Sequence, residues 1–344
     1  MLFKVLIFSC IYFLINKFFL KADLLLDKKQ SSDHKKKIIT KNKTPLTGGL
    51  IFLLFFLFFY FSESTALTIS ILFLIGVLSD INILQSPIKR IILQTICIIL
   101  FVIIEDITIK TISANQLDEI LNIRLVNIIF STICFLVLIN GFNFLDGINS
   151  LVVGYFLICL SSIYFISEKN ELSVDLILLK DLLLILIIIF AFNFFGNSFL
   201  GDSGTYIIGF LLGVLCVSFA YENYTRISPY YVVCLLWYPA FENLFSIIRR
   251  VLGKLSPSKP DNYHLHHLLY FFIGKKTLFK KKISQNTITG IIINIYNVFS
   301  ISIASFYYNH TKSLIIIIMF NLLVYLYSYY SFNKYFMKFS KIKK

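Results

Sequence analysis

Charge is scarce in this 344-residue chain: Asp, Glu, Lys and Arg make up 15% of it, beside 58% hydrophobic residues. That balance excludes both a disordered segment and an ordinary soluble domain. Neither a Gly/Ser linker nor an internal repeat interrupts the apolar stretches. The sequence has no G-x-x-x-x-G-K-[ST] loop and no G-x-G-x-x-G turn, which argues against ATP hydrolysis and a dinucleotide fold, and it has no G-x-S-x-G elbow. The six cysteines form no C-x-x-C pair and no metal-type spacing; all sit in apolar stretches and read as buried thiols. Acids are few, 18 against 32 basic residues, and the net +14 would suggest nucleic acid only if the bases shared a soluble face. The wealth of Phe and Tyr accompanies a general richness in Ile, Lys and Asn, so it reads as compositional bias rather than a stacking platform.

What is present is a succession of apolar runs. Spans are expected near 2–20, 46–61, 65–79, 88–104, 125–140, 151–167, 176–194, 206–220, 230–248, 288–306 and 314–331, giving an all-α polytopic membrane protein of about eleven helices in one domain, 1–344. The first run lacks a small-residue cleavage site and reads as a retained helix. Loops near 21–45, 80–90, 141–150, 195–205, 249–287 and 332–344 hold 24 of the 32 Lys and Arg, against 5 in the alternate loops. The positive-inside rule therefore predicts that the first set is cytoplasmic, with the N-terminus outside and the C-terminus inside. The basicity is topology, with some attraction for anionic lipid, and no nucleic-acid partner is expected.

The outer loops offer acids without histidines or Gly-rich turns, and these read as solvated faces. The inner loops hold five polar clusters: Lys41 to Gly49, Ser79-Asp80, Asn140 to Asn149, Gly201 to Gly204, and Pro260 to His267. Asp80 ends an apolar span before Ser86-Pro87, and it suits a cation ligand, a base or a helix end. Asn140, Asn143 and Asp146 recur every three residues, fit for one helix face around a polar ligand or for satisfying helix-end groups. Leu200-Gly-Asp-Ser-Gly-Thr205 leads into an apolar run, with Asp202 or Ser203 as N-cap and exposed amides that could cradle phosphate. Asp202 is the strongest candidate for a Mg²⁺ ligand gripping a diphosphate. His264, His266 and His267 are three of the five histidines, within four positions. Without nearby soft ligands they point to phosphate contact before zinc. Lys41, Lys43, Arg249 and Arg250 suit phosphate neutralisation or plain topology.

In order, these segments resemble the polyprenyl-phosphate N-acetylhexosamine-1-phosphate transferases, the glycosyltransferase 4 family of WecA and MraY type, over roughly residues 40–270. Thr44-Pro-Leu-Thr-Gly-Gly49 looks like T-P-x-x-G-G, Asn140 to Asn149 like N-x-x-N-x-x-D-G-x-[DN], Leu200 to Gly204 like L-G-D-S-G, and Ser256 to His267 like S-P-x-x-P-D-x-x-H-[IL]-H-H. The H-x-H-H ending resembles the WecA side. The resemblance implies transfer of a sugar-1-phosphate from a UDP-N-acetylhexosamine, by default GlcNAc, to undecaprenyl phosphate in a bacterial inner membrane. UMP is released, Mg²⁺ or Mn²⁺ is needed, and a lipid-linked surface glycan is initiated. It implies that Asp202 binds the metal and Asp80 serves the acceptor site. Lys43, Thr44, Asn140, Asn143, Asp146, His264, His266 and His267 would contact substrate. Homodimerisation and the identity of the sugar stay open. Two positions depart from the family: Ser79 stands where it has Asp, and Ser150 where it typically has Gly. Ser79 motivates the alternative of a non-catalytic binder, and the polytopic fold that of a transporter.

Overall fold

The computed structural model describes residues 2–28, 43–59, 63–254, 256, 261–276 and 282–340; Lys41 and the 257–260 stretch lie outside them. Ten helices among these residues are long and apolar enough to cross a membrane. They are α1 (Leu2–Ala22), α3 (Glu63–Asp80), α4 (Pro87–Glu105), α6 (Arg124–Leu145), α7 (Leu151–Asn170), α8 (Leu176–Phe194), α9 (Gly201–Glu222), α10 (Pro229–Leu252), α12 (Lys282–Phe306) and α13 (Thr311–Ser340). The run expected to span at 46–61 forms α2 (Gly48–Phe59), 12 residues of apolar helix. At about 1.5 Å per residue it is shorter than a bilayer's ~30 Å core. Two short helices were not foreseen, α5 (Asn115–Leu121) and α11 (Leu265–Lys276), each inside a segment expected to be loop. An antiparallel pair, β1 (Leu26–Lys28) and β2 (Lys43–Pro45), precedes α2.

Local chemistry sets several helix starts. The Ser86 hydroxyl accepts Lys89 N–H and Pro87 fills the first turn of α4; Asp175 accepts Ile177 and Leu178 N–H at 2.9 Å to begin α8; Ser228 and Pro229 begin α10. Apolar side chains cover most faces of each span, so burial alone cannot select neighbours in lipid, and close approach and polar pairs do so. Lys4 meets Asp181 at 2.6 Å, tying α1 to α8. Ser162, Tyr231 and Ser305 link α7, α10 and α12.

The most enclosed helix is α9, packed by α2, α3 and α6. Gly76 of α3 lies against the backbone of Ser203, where any Cβ would collide. The expectation of six buried thiols is corrected at two positions: Cys10 is exposed on α1, and Cys134 is half-buried. An apolar side chain on a membrane-spanning helix is accommodated against lipid as well as against protein.

Candidate functional site

The first turn of α9 is capped from another helix. Asp80, the last residue of α3, accepts the backbone N–H of Asp202 at 2.9 Å through Oδ1. Through Oδ2 it accepts the N–H of Ser203 at 3.2 Å and the Ser203 hydroxyl at 2.9 Å. Helix N-termini present unpaired N–H groups and a positive dipole end, which a carboxylate satisfies well. Gly201 makes the approach possible: its φ is +71°, and a Cβ would stand 2.6 Å from Asp80 Oδ2. The expected roles of this turn change accordingly. Neither Asp202 nor Ser203 is its N-cap, since Leu200 holds that position without a side-chain bond. The amides of 202 and 203, expected to be open to phosphate, are occupied by Asp80.

Held by its main chain, Asp202 turns its carboxylate into a polar cluster. Oδ2 accepts from the Ser79 hydroxyl at 2.5 Å and from the Arg90 guanidinium at 2.8 Å, and Oδ1 accepts from Asn143 Nδ2 at 2.7 Å. Arg90 also donates to Ser79 Oγ at 2.7 Å. Arg90 and Asp202 keep about a quarter of their side chains exposed, so the pair is reachable. Asn140 and Asn143 lie on α6, and Asp146 is the C-cap that ends it. Asn140 donates to Gln94 Oε1 at 3.2 Å and to Leu136 O at 2.9 Å, so its amide is committed to the fold.

A second charged cluster closes the other side. Arg249 grips Asp261 with two bonds of 2.9 and 3.1 Å, and Arg250 Nε adds a third at 3.0 Å. Burial pushes the Asp261 carboxyl up, but the two guanidiniums more than offset it and hold the group well below the ordinary carboxylate range. His264 Nε2 lies 3.4 Å from the Arg250 guanidinium. His266 is fully buried between His264 and His267, and burial followed by those neighbours keeps its ring neutral.

These residues meet in one cavity of about 1630 Å³. Asp80, Asp202, Asn140, Asn143, Asp146, His264 and His267 line it, with Ser79, Arg90 and Arg250. Lys43, Thr44 and His266 are not among its walls. Lys43 is exposed and paired with Asp23 at 2.7 Å, while Thr44 and His266 are buried. Sequence reasoning did not single out Arg90. Its signal was a cation one turn into a helix whose start Ser86-Pro87 announces, ten residues from Asp80. The lining also includes Ile88 and Ile91 of α4, Ile133 and Leu136 of α6, and Ile247 of α10. Ile88 and Ile133 are more than half exposed, so the cavity offers accessible apolar surface beside its polar groups.

Comparison with known proteins points the same way. Residues 62–220, which carry Ser79, Asp80, Asn140 to Asp146 and Asp202, match glycosyl transferase family 4. A probable undecaprenyl-phosphate N-acetylglucosaminyl 1-phosphate transferase of Bacillus subtilis is 32% identical over 138 residues, covering 39% of this chain and 37% of that protein. An undecaprenyl-phosphate alpha-N-acetylglucosaminyl 1-phosphate transferase of Thermotoga maritima is 31% identical over 160 residues, 44% of this chain and 46% of that protein. A phospho-N-acetylmuramoyl-pentapeptide-transferase of Dictyoglomus turgidum is 27% identical over 192 residues, 52% of this chain and 60% of that protein. The first two alignments thus span less than half of each relative's length. The segment similar to glycosyl transferase family 4, residues 62–220, delivers both acids and both asparagines of the cluster around α9.

Proposed function

We propose that this protein transfers an N-acetylhexosamine-1-phosphate, GlcNAc-1-phosphate by default, from a UDP-sugar to undecaprenyl phosphate, releasing UMP. The observation that carries this reading is the mixed lining of one cavity: the accessible apolar residues Ile88 and Ile133 share it with Arg90, Asp202, Asn143, Arg250 and His264. A polyprenyl chain suits the first set and a nucleotide diphosphate the second. The names of the relatives, undecaprenyl-phosphate N-acetylglucosaminyl 1-phosphate transferases, support the lipid acceptor and the transferred group.

In the proposed reaction an oxygen of the acceptor phosphate attacks the sugar-linked phosphorus, and the bond to the UMP oxygen breaks, UMP leaving with the electron pair. The acceptor is already an anion at pH 7, so no base is required. Asp80 is poorly suited to be one, since both its oxygens accept donors from α9. Arg90 and Arg250 face the cavity as cations for phosphate oxygens, and fixed donors of this kind lower the barrier most where charge develops. Among the described residues no three of His, Cys, Asp and Glu cluster as a metal cage. Among the described residues, Asp202 Oδ1 accepts from Asn143 alone, which leaves it a hard oxygen donor. That fits Mg²⁺ or Mn²⁺, which takes one or two carboxylates and completes its shell with water and substrate phosphate. Held by Asp202 beside Asn143, such an ion would neutralise charge on the leaving phosphate.

The excess of Lys and Arg in the loops at this end supports a cytoplasm-facing site in a bacterial inner membrane, where the product would begin a surface glycan. The test is UMP release by the detergent-purified protein with Mg²⁺, undecaprenyl phosphate and a panel of UDP-N-acetylhexosamines. Product that depends on the lipid and is lost in Asp202→Asn is the expected result. No UMP from folded protein, with a working relative alongside, would overturn the proposal.

A further inference from the structure

A carboxylate sits deep in α10 that no motif includes. Glu242 is 1% exposed, three residues beyond the Pro239 that interrupts the helix. A buried acid in a membrane span is costly unless it is paired, and its pairing shows what it serves. Glu242 Oε2 accepts the hydroxyl of Tyr325 on α13 at 2.7 Å, and Oε1 lies 2.9 Å from His264 Nδ1. His264 in turn lines the cavity, as His267 does.

An acceptor at Nδ1 requires that nitrogen to carry the proton. The other ring nitrogen, Nε2, is then left with its lone pair toward Arg250 at 3.4 Å, a pure donor. The ring's further neighbours are Asp261, 3.7 Å from Nε2, the stacked His266, His267 and Phe144. We propose that Glu242, itself held by Tyr325, is a positioning residue that fixes His264 as the Nδ1–H tautomer and keeps Nε2 as an acceptor for Arg250, so that this guanidinium is held at the cavity wall for the phosphate-bearing ligand. This rests on the transferase reading for its ligand, though not for the pairing.

The experiment uses protein labelled with ¹⁵N-histidine, with His264→Asn to assign the resonance, beside steady-state kinetics. Wild type should show His264 as Nδ1–H. Glu242→Leu, apolar as suits a span, should lose that tautomer preference and raise KM for the UDP-sugar roughly 10- to 100-fold, with KM for the polyprenyl phosphate unchanged. Glu242→Gln, which keeps an acceptor without the charge, should keep the tautomer and recover part of the KM. A wild-type ring protonated at Nε2 alone, or Glu242→Leu with tautomer and KM as in wild type, overturns the proposal. If Glu242→Leu does not fold, Tyr325→Phe decides: a changed His264 resonance supports the relay, and an unchanged resonance and KM overturn it. A wild-type protein that releases no UMP counts against the transferase reading, while the tautomer still judges the pairing.

Discussion

Asp80 Oδ1 accepts the backbone N–H of Asp202 at 2.9 Å, so the acid that ends α3 holds in place, by its main chain, the acid that begins α9. The two have different work. One fixes a helix end, and the other faces the cavity with its carboxylate. Asp80→Ala should therefore cost about 0.5–2 kcal/mol of stability, the worth of a cap. It should also lower kcat by about 100-fold, the scale of a 1 Å misplacement. Asp202→Asn should abolish UMP release with little change in thermal unfolding, because its side chain is partly exposed and its ion pair worth little. Melting curves and UMP assays on both variants separate the roles, and an Asp80→Ala protein as stable as wild type would remove the capping role.

Ser79 gives this site one acid fewer than the family pattern, and its hydroxyl donates to Asp202 where a carboxylate would repel it. Among the described residues, Arg90 is the cation that balances Asp202 at close range. Ser79→Asp should tighten Mn²⁺ binding, read by paramagnetic resonance, roughly tenfold, since ligand charge sets cation affinity. It should destabilise the metal-free protein through like-charge repulsion. Mn²⁺ affinity equal to wild type would show that position 79 does not face the cation.

The spans were legible because each is a long apolar run, and the motif residues because their order along the chain is distinctive. What stayed hidden depends on contacts between distant positions. Nothing near Asp80 in sequence announces that its partner is the amide of Asp202, 122 residues away. Arg90 was masked by the general excess of Lys and Arg at span ends, and Glu242 by the apolar run around it. The helices α5 and α11 were missed because each is only one to three turns long, too short to mark a periodic pattern within a polar segment.

Ser150 explains its own departure from the family's glycine. It lies at φ +70°, ahead of α7, with its N–H bonded to Asn193 Oδ1 at 2.6 Å and its carbonyl to Asn294 Nδ2 at 2.9 Å. That left-handed conformation costs a residue with a Cβ roughly 1–2 kcal/mol, and glycine nothing. Its buried hydroxyl also finds no partner among the described residues. Ser150→Gly should raise stability by about 1 kcal/mol, with kinetics unchanged. A lower melting temperature would mean that the hydroxyl contributes more than the strain removes.

The grip of Arg249 and Arg250 on Asp261 sets a pH signature. The carboxyl is held below its ordinary range, so the folded state binds its proton less readily than the unfolded chain. Its contribution to stability is therefore complete above the unfolded value near pH 4, and it is lost as pH falls through the lower folded-state value. Between pH 8 and 5 this group should contribute no pH dependence. Asp261→Asn should be destabilised throughout that window by a constant amount, and its gap from wild type should close only below about pH 4. Melting temperatures of both proteins in detergent from pH 8 to 3 check this. A gap that shrinks already between pH 8 and 5 would mean that the clamp is controlled by another group, His264 being the nearest at 3.7 Å.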